Sequence, residues 1–157
     1  MAEGVSSPAC WPTEVGEAKV AEDPVLRELA QFLFDYVENY EEIQVLACLG
    51  VGRELWWEPE DVTRDCGVEK SATLSALERL TALGVLVMQG SDSVVRYRLH
   101  DDFQGRSYIF DRLALEYRQN RLQLMERMTH NAIERVRASA LKTFADCFRI
   151  RGPRDDG

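Results

Sequence analysis

The capacity of this chain for chemistry lies first in its four cysteines and two histidines. Thiolates and imidazoles are the common ligands of zinc, and thiols are the usual seat of redox chemistry. Cys10, Cys48, Cys66 and Cys147 show no CxxC spacing, and His100 and His130 are isolated. That pattern argues against a zinc site and against a disulfide scaffold. Cys48 and Cys147 read as small core residues, whereas Cys66, beside Gly67 in an expected turn, leaves a redox role open. Nothing hydrophobic precedes Cys10, so it does not read as a lipid-anchor site. A glycine-rich phosphate loop, HExxH, GxSxG and a usable Cys/His pair are all missing from the sequence. No enzymatic activity, metal or cofactor is expected.

The remaining chemistry is that of charge and hydrogen bonding. Net charge is −8 over 157 residues, but it is unevenly spread. Residues 1–102 carry 8 Lys and Arg against 20 Asp and Glu, and residues 103–154 carry 11 against 5. An acidic front half repels nucleic acid, while the basic rear half attracts either DNA or the acidic half of another subunit. The length suits one domain with an extension. With no apolar run long enough to span a bilayer and no signal-like N-terminus, a cytoplasmic protein is expected.

The elements that would position these charges can be read in order. Residues 1–22 mix proline, glycine, serine and acids without period and read as a flexible acidic leader. Asp23-Pro24 supplies a cap and a first-turn proline. Leu26, Leu29, Leu33, Val37 and Tyr40 then share a helical face, and Ile43, Leu46 and Ala47 continue a second helix after a break near residues 39–42. Pro59 starts a short helix carrying Val62 and Cys66, and Gly67 allows a tight turn that Val68 plugs. Over Lys70–Leu83 the spacing predicts a helix burying Leu74, Leu77, Leu80 and Thr81, its opposite face presenting Ser71, Ala72, Ser75, Ala76 and Arg79.

Past Gly84 the period changes to two. "VLVMQ", a turn at residues 90–93 and "VVRYRLH" form an expected β-hairpin, with Val95, Tyr97 and Leu99 on one face and Arg96, Arg98 and His100 on the other. From about 105 to 150 helix formers dominate, with a break expected near residues 129–131. Two displaced apolar stripes run along this segment, including Leu113, Tyr117, Leu124 and Met128 on one and Leu122, Met125, Ile133 and Val136 on the other. One small domain cannot cover both, so these eight residues are the expected dimerisation set. A disordered tail is expected over 152–157. The class is mainly α with a small β-hairpin, divided into 23–102 and a C-terminal helical segment, 103–151.

The stretch "EDVTRDCGVEKSATLSALERLTALGVLVMQGSDSVVRYRLH" resembles the winged helix-turn-helix module of bacterial transcription regulators of the MarR and PadR kind. With the preceding helices the resemblance covers about residues 25–100, and the long helix after it resembles the dimerisation helices such regulators append. The resemblance implies a cytoplasmic homodimer that binds double-stranded DNA. Its recognition helix would place Lys70, Ser71, Thr73, Ser75, Ala76 and Arg79 at the major groove or its edge, and Arg96 or Arg98 would lie on the wing. Against this stand Glu69 and Glu78, which flank the few cations, and a wing tip of Ser91-Asp92-Ser93 that is not basic. Arg79 is equally suited to a surface ion pair near Glu78 or with Asp65. The alternative function is an acidic winged-helix adaptor, with a protein partner on the front half and no reading of bases.

Overall fold

The computed structural model describes residues 23–150; the expected leader and the 152–157 tail lie outside the described residues. Helix α1 (Pro24–Tyr36) begins where Asp23, in extended backbone, accepts from the Val25 N–H at 3.0 Å, and Pro24 occupies its first turn. It buries Leu26, Leu29, Phe32 and Leu33. Extended backbone at Val37 stops it. Helix α2 (Tyr40–Val51) is capped by Asn39, whose side chain accepts from the Glu42 N–H at 2.9 Å. Glu42 in return accepts from the Glu38 N–H at 2.7 Å, a reciprocal arrangement close to a capping box. Ile43, Val45, Leu46, Ala47 and Leu49 are all buried, so α2 is the central helix around which the others pack.

Helix α3 (Pro59–Cys66) contributes Val62 to the core and ends at Gly67, whose φ of 70° is the left-handed geometry that suits glycine. Helix α4 (Lys70–Ala82) follows almost at once. Strands β1 (Leu86–Ser91) and β2 (Val94–Leu99) pair antiparallel from Leu86 opposite Leu99 to Ser91 opposite Val94, which leaves a two-residue turn at Asp92-Ser93. Trp57, just ahead of α3, adds a short third rung: its N–H and carbonyl both bond to Tyr97 at 2.8 Å. Helices α2, α3 and α4 with this hairpin make a winged helix-turn-helix, and Tyr97 and Leu99 close its core from the wing side.

A single turn at Phe103–Gly105 leads into α5 (Tyr108–Gln119). Phe32, Tyr36, Phe103 and Phe110 cluster there with ring centroids 5.2 to 5.9 Å apart, joining α1 to α5. Gly50 of α2 faces Phe110 and Ala114 of α5, where a methyl group would lie in ordinary contact, 3.4 Å from the Phe110 carbonyl oxygen and 3.5 Å from Ala114 Cβ. The helical run breaks at Asn120, not near residues 129–131 as expected, and α6 (Arg121–Ile150) is continuous beyond it. Asn120 leaves helical geometry and its side-chain amide donates to the buried Glu116 carboxylate at 2.7 Å, while its backbone N–H and carbonyl still bond to Glu116 and Leu124. Arg112 joins Glu116 at 2.9 Å and Asp23 at 2.7 Å, so part of the acidic front half docks on the basic rear half within one chain. None of the described helices is long and apolar enough to cross a membrane.

Candidate nucleic-acid interface

Helix α4 is rotated by about one residue from the orientation its hydropathy predicts. Thr73, Ala76, Leu77 and Leu80 face the core, whereas Leu74 and Thr81 are only half-buried. The hydroxyl of Thr73 donates back to the carbonyls of Glu69 at 3.1 Å and Val68 at 3.4 Å, so its burial leaves no polar atom unpaired. Thr73 and Ala76 are therefore not on the outer face. That face consists of Lys70, Ser71, Ser75, Glu78 and Ala82.

Arg79 is also turned inward. Its Nη1 donates to the Tyr36 carbonyl and to both carboxylate oxygens of Glu42 at 2.9 Å, and Nη2 lies 3.3 Å from Glu38. Glu42 is 2% exposed. Burial raises its carboxyl above the usual range, against the opposing pull of the Glu38 N–H and Arg79. This is neither a DNA contact nor the pairing with Asp65 or Glu78's surroundings expected from the sequence. It fastens the recognition helix to the joint between α1 and α2. From the opposite side Arg135 of α6 donates to the carbonyls of Leu33, Phe34 and Val37 at 3.2, 2.5 and 2.6 Å, satisfying the open end of α1. The joint at residues 36–42 is thus clasped by one arginine from α4 and one from α6.

The wing cations are committed more loosely. Arg96 pairs with Glu58 at 3.4 Å, both exposed. Arg98 pairs with Asp101 at 2.9 Å and lies over the Trp56 ring, 4.6 Å from its centroid. At the start of α4 the Ser71 hydroxyl donates to Glu69, and that bond holds the Glu69 carboxyl below its usual range. A fixed carboxylate therefore already sits at the helix N-terminus, where an incoming phosphate would be attracted. Lys70 makes no ion pair with any described residue.

The dimerisation set divides in two. Leu113, Leu124 and Met128 are buried and Tyr117 is half-buried, all within the chain's own core, so they are not available to a second subunit. Leu122, Met125, Ile133 and Val136 are exposed, and Leu141, Phe144 and Phe148 extend the same exposure toward the end of α6. Cys147 is exposed rather than a core residue; Cys48 is half-buried.

Solved structures with a similar course of the chain include a MarR-family transcriptional regulator from Silicibacter pomeroyi, 19% identical over 75% of this chain and 78% of that one, with a TM-score of 0.45. A transcriptional regulator from Thermotoga maritima is 17% identical over 83% and 90%, with a TM-score of 0.41. BpsR of Bordetella bronchiseptica, a protein whose DNA binding is regulated by 6-hydroxynicotinic acid, is 16% identical over 78% and 92%, with a TM-score of 0.39. No protein-family model and no curated protein sequence matches the chain.

Proposed function

We propose that this chain is a cytoplasmic DNA-binding transcription regulator that acts as a homodimer. The observation that carries the reading is the outer face of α4. Ser71, Ser75 and Ala82 are small enough to let the helix enter a major groove, Lys70 stands free at its start, and the hairpin lies beside it as a wing. Arg96 adds to this, because an exposed ion pair is worth little and exchanges a carboxylate for a phosphate at small cost. Few cations per subunit mean weak binding by one copy, and a dimer doubles them.

The second subunit is argued from α6. From Val136 to Arg149 every residue is exposed, and Val136, Ala140, Thr143, Phe144 and Cys147 line one apolar strip. An isolated helical stretch of this length is marginal in water, and the same strip on a second copy is its self-complementary cover.

The test is selection from random duplex DNA at low and near-physiological salt, with a Lys70→Ala/Arg96→Ala variant in parallel. Enrichment of a two-fold symmetric sequence that the variant fails to retain supports the reading; no retention at low salt overturns it. Glu69 and Glu78 on the same face favour a second reading, an adaptor that docks a basic protein surface without reading bases. That reading predicts a stable complex that survives Lys70→Ala and is lost with Glu69→Lys/Glu78→Lys.

A further inference from the structure

Helix α1 supplies little to its own C-terminal end: its last turn holds no basic residue, and its cap is Val37 in extended backbone. The final carbonyls of a helix lack intrahelical donors, and the negative end of its dipole attracts cations. Both needs are met here from other helices. Nη2 of Arg135 on α6 donates to the Leu33, Phe34 and Val37 carbonyls, and the guanidinium lies 5.5 Å from the centre of the Phe34 ring. Nη1 of Arg79 on α4 donates to the carbonyl of Tyr36, which stands between them in the chain, at 2.9 Å. Helix α6 packs on α5 and α1, and α4 on α2, α3 and β1, so this one turn of backbone is a support they share. We infer that Arg135 is a positioning residue for the recognition helix: by holding the end of α1 it fixes the seat of Arg79, and so ties the placement of α4 to the seating of α6.

The connection from α1 to α2 is short and half open to solvent: Val37 is buried, but Glu38 and Asn39 are exposed. Its geometry therefore depends on what grips it. On one side the Arg79 guanidinium takes Glu38 and both oxygens of Glu42 as well as the Tyr36 carbonyl, so a shift of this stretch carries to α4 through several bonds at once. On the other side Arg135 is the last α6 side chain, among the described residues, to bond another helix, and from Val136 to Arg149 every residue is exposed. A load on the free arm of α6, such as a second subunit covering it, thus reaches the body of the chain first at Arg135. Coupling between two seats is reciprocal: what Arg135 contributes to α4, Arg79 contributes to α6. The bearing of this on DNA rests on the regulator reading; the coupling itself does not.

Native-state hydrogen exchange of the full chain, read by proteolysis and mass spectrometry, tests the coupling without DNA. Arg135→Met is compared with Arg137→Met, which removes a neighbouring cation whose bond is to Glu134 of its own helix. The expected result for Arg135→Met is exchange about fivefold faster or more over 33–42 and 70–82, with 43–49 in the central helix unchanged, and no change at any of these in Arg137→Met. Should the methionine variant not fold, Arg135→Gln is read in the same way. Acceleration over 33–42 with 70–82 at the wild-type rate overturns the inference. Equal acceleration everywhere, 43–49 included, also overturns it, since that is a general loss of stability. Reciprocity requires Arg79→Lys to accelerate exchange over 128–136, and an unchanged rate there is equally fatal. On a duplex recovered by selection, Arg135→Met is expected to weaken binding about fivefold or more with the salt slope unchanged, because no phosphate contact is removed. A shallower slope would make Arg135 a DNA contact and overturn the positioning role. If the wild-type chain retains no duplex, the regulator reading fails and the exchange result still decides the coupling.

Discussion

Arg79 shows how one side chain carries a different load from the one its position suggests. Removing it leaves the Glu42 carboxylate buried without its cation, so Arg79→Ala is expected to lower unfolding free energy by about 3–5 kcal/mol in urea titration. The variant is thus a probe of folding and not of DNA contact. Glu42 adds a pH dependence whose sign is fixed by its raised carboxyl. The folded state holds this proton to higher pH than the unfolded chain does. The stability of the protein minus that of Glu42→Gln therefore falls as pH rises from the ordinary carboxylate value, about 4.3, toward neutrality. Paired urea titrations across that window check it; a difference that rises contradicts the assignment. Neither role was legible beforehand, because Glu42 lies 37 positions from Arg79 and only the packing of α2 on α4 brings them together. Thr73, which the resemblance places at the groove, is buried instead, because its hydroxyl finds acceptors one turn back in its own chain, at Glu69 and Val68.

Among the elements, those whose caps are local were legible. Asp23-Pro24, Pro59 and Gly67 mark helix ends by geometry that a few residues decide, and they stand where expected. The α5–α6 break was not, since Asn120 and Asn131 look alike in sequence and only Asn120 finds Glu116. The wing depends on Gly90, whose φ of 145° and 2.0 Å approach of a notional methyl to the Val94 carbonyl leave no room for a side chain. Gly90→Ala is expected to cost about 2 kcal/mol or more and to expose the hairpin to limited proteolysis near Asp92. Along α6, position separates two outcomes of one substitution. Leu124→Ala, in the core, is expected to destabilise by about 2–5 kcal/mol, and Leu122→Ala, on the exposed strip, by less than about 0.5 kcal/mol in the dissociated protein. Thermal or urea unfolding at low protein concentration distinguishes them.

For the molecule as a whole, the proposed dimer makes two measurable demands. Val136→Glu/Phe144→Glu is expected to yield a monomer in sedimentation experiments, with reduced helicity because the far end of α6 loses its cover. With Lys70 and Arg96 from each subunit as the phosphate contacts, log affinity for DNA should fall against log salt with a slope of about −3 to −4. A much steeper slope would place arginines of α5 and α6 on the duplex as well. Helix α6 also acts as an arm. Its 30 residues reach about 45 Å from the bend at Asn120. A change of about 10° at that bend sweeps the far end through about 8 Å, more than one helical pitch. The angular tolerance of everything held at the tip is thus set by a few contacts near the root: Asn120 on Glu116 at the bend, Leu124 and Met128 in the core, and Arg135 on the end of α1.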